Sequence, residues 1–163
     1  MRALALILGL LAAGQAAALS CVPPDVARTF KWADEQEDRY LVIRGIFTFD
    51  EAKLPSPPRK DPNATRPVTE ITAAFAGHSL TRKGFTEPLD RDLTLRVTCL
   101  GPWCGGAQSG GQMLAFARIR DDGGFEVDIG PCGGNAFPNP TAKMERRLRR
   151  CLRGGLCQPR TDF

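Results

Sequence analysis

Histidine occurs once in this 163-residue chain, tyrosine once and tryptophan twice, and aromatic residues make up only 7% of it. With His78 alone, no site can be built from several imidazoles, and a zinc site around it would have to draw on cysteines. No nucleophile motif accompanies it: the "AQSGG" around Ser109 lacks the first glycine of a nucleophile elbow and its strand-to-helix setting. The paired carboxylates Asp121 and Asp122 sit in a turn and read as solvated turn residues. Few aromatics also leave little for stacking on bases or sugars. An enzyme is therefore not expected, and neither is a cofactor or a resident metal. The net charge of +4 falls to +3 without Arg2, which demands neither nucleic acid nor an anionic membrane as partner.

What is present begins with a leader. Arg2 supplies a positive start, Leu4 to Leu11 an apolar stretch too short to span a bilayer, and Gly14 to Ser20 a small-residue exit. Residues 1–20 are expected to be a signal peptide, and cleavage after Ala18 or after Ser20 fits the small-x-small rule. The mature chain then starts at Leu19 or at Cys21. A lipoprotein box would want an aliphatic residue at 18 and a small one at 19; Ala18 and Leu19 come in nearly the reverse order, which disfavours a lipid anchor. One domain of ordinary size, residues 21–163, remains.

All 6 cysteines lie in that part, and an even count in an exported chain argues for disulfides, in a periplasmic or extracellular setting. The run "YLVIRGIFTF" from Tyr40 reads as a strand in which Gly45 marks a bulge or bend. Leu54 to Pro67 is proline-rich and reads as a loop; "VTEITAAFAG" and "DLTLRVTC" are the next strands, the latter with Leu93, Leu95 and Val97 on one face. "MLAFARIRDDGGFEVDI" is a hairpin turning at Asp121 to Gly124. In "NPTAKMERRLRRCLRGG", Asn139 is expected to cap a helix with Met144, Leu148, Cys151 and Leu152 on its buried face and Gly154 as its stop. Its other face is basic: Lys143, Arg146, Arg147, Arg149, Arg150 and Arg153. Five strands and a C-terminal α-helix in a disulfide-stapled domain suit a small barrel of mainly β structure.

"CVPPDVARTF", then "LVIRGIF", and later "MLAFARIRDDGGFEVDIGPC" resemble the netrin-like domain of the tissue inhibitors of metalloproteinases. The resemblance implies an OB-fold-like five-stranded barrel over the whole mature chain. It also implies departures: Cys21 matches the second cysteine of the family's Cys-x-Cys, while the first falls on Leu19 and a later one on Lys31. The surviving family disulfide would join Cys21 to Cys132. The cysteines left without family partners have each other as neighbours, so Cys99 with Cys104 and Cys151 with Cys157 are the expected pairs.

The family inhibits metalloproteases by placing the amine and carbonyl of its N-terminal cysteine on the enzyme's zinc. Carried over, Cys21 would chelate, with Val22 and Pro23 entering the substrate cleft, if the chain starts at Cys21; the plainer reading is that Cys21 only staples the N-terminus down. "CLGPWCGG" places four residues between its cysteines and reads as a structural loop rather than a redox site, with Trp103 packed. The expectation is an exported non-enzymatic binding protein with a protein partner, such as a metalloprotease. The alternative is a module binding acidic polysaccharide, another polyanion or a glycan through the basic helix.

Overall fold

The computed structural model describes residues 19–160; of the expected leader only Leu19 and Ser20 fall within it, and residues 1–18 lie outside the described residues. The fold is mainly β. Strands are β1 (Tyr40–Thr48), β2 (Val68–Thr81), β3 (Gly84–Leu100), β4 (Trp103–Cys104), β5 (Gln112–Ile119), β6 (Phe125–Gly130), β7 (Gly133–Gly134) and β8 (Ala136–Pro138); helices are α1 (Val26–Asp34) and α2 (Ala142–Leu152). The five expected strands correspond to β1, β2, β3, β5 and β6.

β1 pairs antiparallel with β2 and β5, β2 pairs with β3, and β6 meets β5 antiparallel and β3 parallel. Hydrogen-bonded pairing therefore runs from β3 through β2, β1, β5 and β6 back to β3. The circuit is uneven. β2 and β3 pair from Val68↔Thr98 to Thr81↔Gly84, whereas β5 and β6 meet only at Arg118↔Glu126 and Ile119↔Phe125. The expected hairpin is thus short: beyond its turn β6 leaves β5 for β3, and β8 takes the other end of β5. Two ion pairs hold β6 at its junctions, Arg118 with Glu126 across β5–β6 at 2.7 Å and Arg96 with Asp128 across β3–β6 at 2.8 Å. Glu126, the acidic partner in the first of these, is buried.

β3 starts at Gly84, eight residues before the expected start at Asp92, because the turn at Arg82 and Lys83 folds the chain straight back on β2. Pro88 is tolerated there because that half of β3 has β2 on one side and no paired strand on the other.

Side chains alternate between two cores. Ile43, Phe47, Ile71, Phe75, Leu95 and Val127 fill the interior of the sheet circuit, joined by Met113, Ala115 and Ala117 of β5. The residues between them on β5, Leu114 and Phe116, face outward into a second core with Val26, Phe137 and Leu148. β5 therefore has apolar neighbours on both faces, which is why it reads as a continuous apolar run rather than an alternating one.

α1 was not anticipated. Its signal is present: Asp25 accepts hydrogen bonds from the Ala27 and Arg28 N–H groups as an N-cap, and Val26, Phe30 and Ala33 follow helical spacing into the second core. α2 lies where expected, with Leu148 and Cys151 buried, but its cap is Thr141 rather than Asn139. Asn139 has φ +50° and gives its N–H to the Gln112 carbonyl, so it finishes the β8 edge instead. The stop at Gly154 is as expected, with φ +76°.

Gly45 forms neither bulge nor bend. It pairs in register with Gly77, and the irregularity in β2 lies at Ser79 and Leu80. A Cβ on Gly45 would sit 2.3 Å from the Ala76 carbonyl oxygen and 2.7 Å from the Phe75 ring; one on Gly77 would sit 2.3 Å from the Arg44 carbonyl oxygen. The Phe75 ring, 4.9 Å from that of Phe47, occupies the space two side chains would need. Gly45→Ala or Gly77→Ala should each lower stability by about 1 to 3 kcal/mol, the range of overpacked cores, as read by thermal melting; a change within a few tenths would mean the strands part easily here.

Candidate functional site at the N-terminal edge

All six cysteines are paired as Cys21–Cys132, Cys99–Cys104 and Cys151–Cys157. Three disulfides suit an oxidising environment. Among the described residues no helix is long and apolar enough to cross a membrane.

Cys21–Cys132 fixes the N-terminal segment to the turn between β6 and β7, and Pro24 lies against Gly133 of the same turn. Arg28 donates from its guanidinium to the Pro23 carbonyl at 3.2 Å, holding the backbone on the other side. Cys21, Val22 and Pro23 are nevertheless exposed, Val22 by 59%. The segment is anchored and open at once.

Cys99–Cys104 closes the β3–β4 hairpin, at whose tip Leu100 pairs with Trp103. Trp103 does not pack as expected. It is 38% exposed and Leu100 59%, because the disulfide closes the hairpin so tightly that its tip projects. The hairpin base rests on the end of β6: a Cβ on Gly105 would meet the Ile129 carbonyl oxygen at 2.0 Å, and one on Gly130 would lie 3.3 Å from the Thr98 hydroxyl. The N-terminal segment and the hairpin are thus held at the same end of β6, both carrying exposed apolar side chains, a feature that marks contact surfaces when such residues cluster.

Beneath the N-terminal segment Asp25 is buried and makes contacts in three directions. Besides capping α1 it pairs with Arg147 of α2 at 2.8 Å, and it accepts from the backbone N–H and the guanidinium of Arg160 at 3.3 and 3.4 Å. Burial alone would push its carboxyl up; the N–H groups of Arg28 and Arg160, the Arg147 guanidinium and the Ala27 N–H outweigh it and hold the pKa below the ordinary value.

The predicted basic face divides accordingly. Arg147 is committed to Asp25 and also donates to the Gln158 carbonyl; Arg153 donates to the Arg82 carbonyl at 2.7 Å, and the Arg149 guanidinium lies by Gly84 of the β2–β3 turn. Lys143, Arg146 and Arg150 are exposed and have no carboxylate partner among the described residues. Ser109 is structural: its hydroxyl accepts from the Phe49 N–H at 2.9 Å, and its own N–H donates to Glu51. His78 stands on β2 opposite Arg44, away from Ser109 in the pairing. On the other side of α1 a cleft of about 420 Å³ is floored by Phe30, Val42 and Phe116 and edged by Asp34, Glu37 and Asp38. The Tyr40 hydroxyl at this cleft is pushed up by burial and then by Asp38.

Because Asp25 titrates lower folded than unfolded, its contribution is complete above about pH 4 and is lost as pH falls through the lowered value. Asp25→Ala should cost about 3 kcal/mol at pH 7, since it strands Arg147 and uncaps α1. The difference in melting temperature between the two proteins should stay level from pH 7 to about pH 5 and shrink as pH falls below about 4; a difference that stays constant to the lowest pH at which the fold persists would show that the carboxylate charge contributes nothing. No family model matches this chain, and no curated protein or solved structure matches it significantly.

Proposed function

We propose that the mature protein is an exported, non-enzymatic binding module with an OB-type barrel like that of the netrin-like domain, and that it inhibits a metalloprotease through its N-terminus. The parallel β3–β6 pairing that returns the sheet to itself supports the barrel reading. The observation that carries the function is the N-terminal segment, covalently anchored at Cys21 yet exposed at Val22 and Pro23. An anchored segment loses little conformational freedom when it enters a cleft, which favours binding. Leu100 and Trp103, held at the same end of β6, supply apolar contact beside it.

The chemistry requires a chain beginning at Cys21. Its α-amine and carbonyl would then occupy the open coordination position of the partner's zinc, where water otherwise sits, while Val22 and Pro23 fill adjacent subsites. Removal of Leu19 and Ser20 is thus the activating step, in a periplasmic or extracellular compartment.

A second reading, polyanion or glycan binding by α2, is favoured by Lys143, Arg146 and Arg150, three exposed cations without a carboxylate partner among the described residues. Retention on an anionic resin that is salt-sensitive and lost in Arg146→Gln/Arg150→Gln supports it; retention unchanged by those substitutions removes it.

N-terminal sequencing of the exported protein should return Cys21, and that protein should inhibit a broad-specificity zinc metalloprotease cleaving a fluorogenic peptide. One alanine added before Cys21 should weaken inhibition at least about 100-fold and Val22→Asp about 10-fold, the scale of losing a metal contact and a buried apolar one. A protein that starts at Cys21, is correctly oxidised and inhibits no such enzyme would overturn the reading.

A further inference from the structure

Two concavities meet at the start of α2. One, of about 440 Å³, has largely apolar walls: Pro24, Val26, Phe137, Pro138 and Met144. The other, of about 400 Å³, is lined by Lys143, Arg146, Arg150, Leu156 and Gln158. They share Lys143, Arg147 and Arg160, so they form one groove with an apolar end and a cationic end.

Among the described residues the charge at the shared rim does not cancel: three cations stand there against one lining carboxylate, Asp25, whose shortest contact is with Arg147 at 2.8 Å. Arg160 reaches Asp25 only at 3.4 Å and keeps 58% of its side chain exposed, and Lys143 has no carboxylate partner among the described residues. Among the described residues two positive charges are therefore in excess beside a cavity walled by Val26, Phe137 and Met144. Each chamber lies within the roughly 300–1,000 Å³ that small-molecule sites occupy.

We propose that this groove binds a single amphiphilic anion, a carboxylate or phosphate carried on an apolar body, with its head between Lys143 and Arg160 and its body over Val26, Phe137 and Met144. A bare phosphate would leave the apolar walls wet. A polyanion would track the helix stripe of Lys143, Arg146 and Arg150, successive neighbours on one helical face, and leave the apolar chamber empty. The site is independent of the metalloprotease reading, since none of its head-group residues belongs to the exposed Cys21–Pro23 segment.

Two methionines of the described residues make the test direct. Met144 lines the apolar chamber, while Met113 is buried in the sheet interior and serves as the internal control. With methyl-labelled methionine in the oxidised protein, dodecyl phosphate below its micelle threshold should shift the Met144 signal saturably and leave Met113 in place. Lys143→Glu, at an exposed position without a structural partner among the described residues, should weaken binding about 10-fold, as expected for replacing an attraction by a repulsion at a partly shielded site. Vesicles containing phosphatidylglycerol identify the source: a Met144 shift with them, absent with phosphatidylcholine, makes the amphiphile a membrane lipid, and a shift with free dodecyl phosphate alone makes it a soluble ligand. The proposal is overturned if Met144 does not respond to either, if Lys143→Glu leaves the affinity unchanged, or if inorganic phosphate or a heparin fragment produces the same shift.

Discussion

Asp25 is the point where this small domain is tied together. It stands just after the two prolines that follow the anchored N-terminus, and its carboxylate meets the first turn of α1, the middle of α2 and the C-terminal segment at Arg160. Sequence separations of 122 and 135 residues are thereby spanned by one side chain. A lone buried carboxylate would be costly, but here each oxygen has partners, so the desolvation cost is offset and the contacts fix direction as well as energy. The position of the N-terminal edge and the groove at the start of α2 both follow from it, because Asp25 and Arg147 form the floor between them.

The sheet is the frame on which that tie acts. β5 separates the interior core from the core beneath the helices, so the helices cover one side of the sheet circuit rather than lying loosely on it. Closure is achieved with few hydrogen bonds between β5 and β6 and compensated by charged rungs: the Arg118–Glu126 and Arg96–Asp128 pairs sit directly across the two junctions of β6. The facing glycines Gly45 and Gly77 admit the Phe75 ring, and the interior is filled by that ring in place of two side chains.

Much of this was legible in the residues. β-branched and aromatic composition located β1, a strand-like run located β2, alternation located the second half of β3 and β6, and a 3.6-residue period located α2, because in the last three the buried face is set by local spacing. The disulfide pairs were legible through a family resemblance and through proximity along the chain. What escaped depended on distant partners. The start of β3 was masked by Pro88, which only a one-sided strand tolerates, and Gly45 looked like a bend because its true reason, Gly77, lies in another strand. Of the candidate site, Cys21, Val22 and Pro23 were legible as residues but not as an exposed edge. Arg147 and Arg153 looked like the rest of a basic face until Asp25 and the Arg82 carbonyl appeared opposite them. Asp25 itself could have been found: an acidic residue after two prolines and before an apolar residue of helical spacing is a cap signal.

The Cys21–Cys132 link spans 111 residues, while the other two disulfides join cysteines 5 and 6 residues apart. Because synthesis runs from the N-terminus, Cys21 is available first and meets Cys99 and Cys104 before Cys132. Oxidation in order of appearance would join Cys21 to Cys99 and strand Cys104. Correct maturation therefore requires either that the β3–β4 hairpin close on itself at once, withdrawing its two thiols from competition, or that an isomerase reopen the early bond by thiol exchange. The tight spacing of that hairpin's cysteines thus protects the fate of a residue far outside it: the short disulfide is a safeguard for the long one.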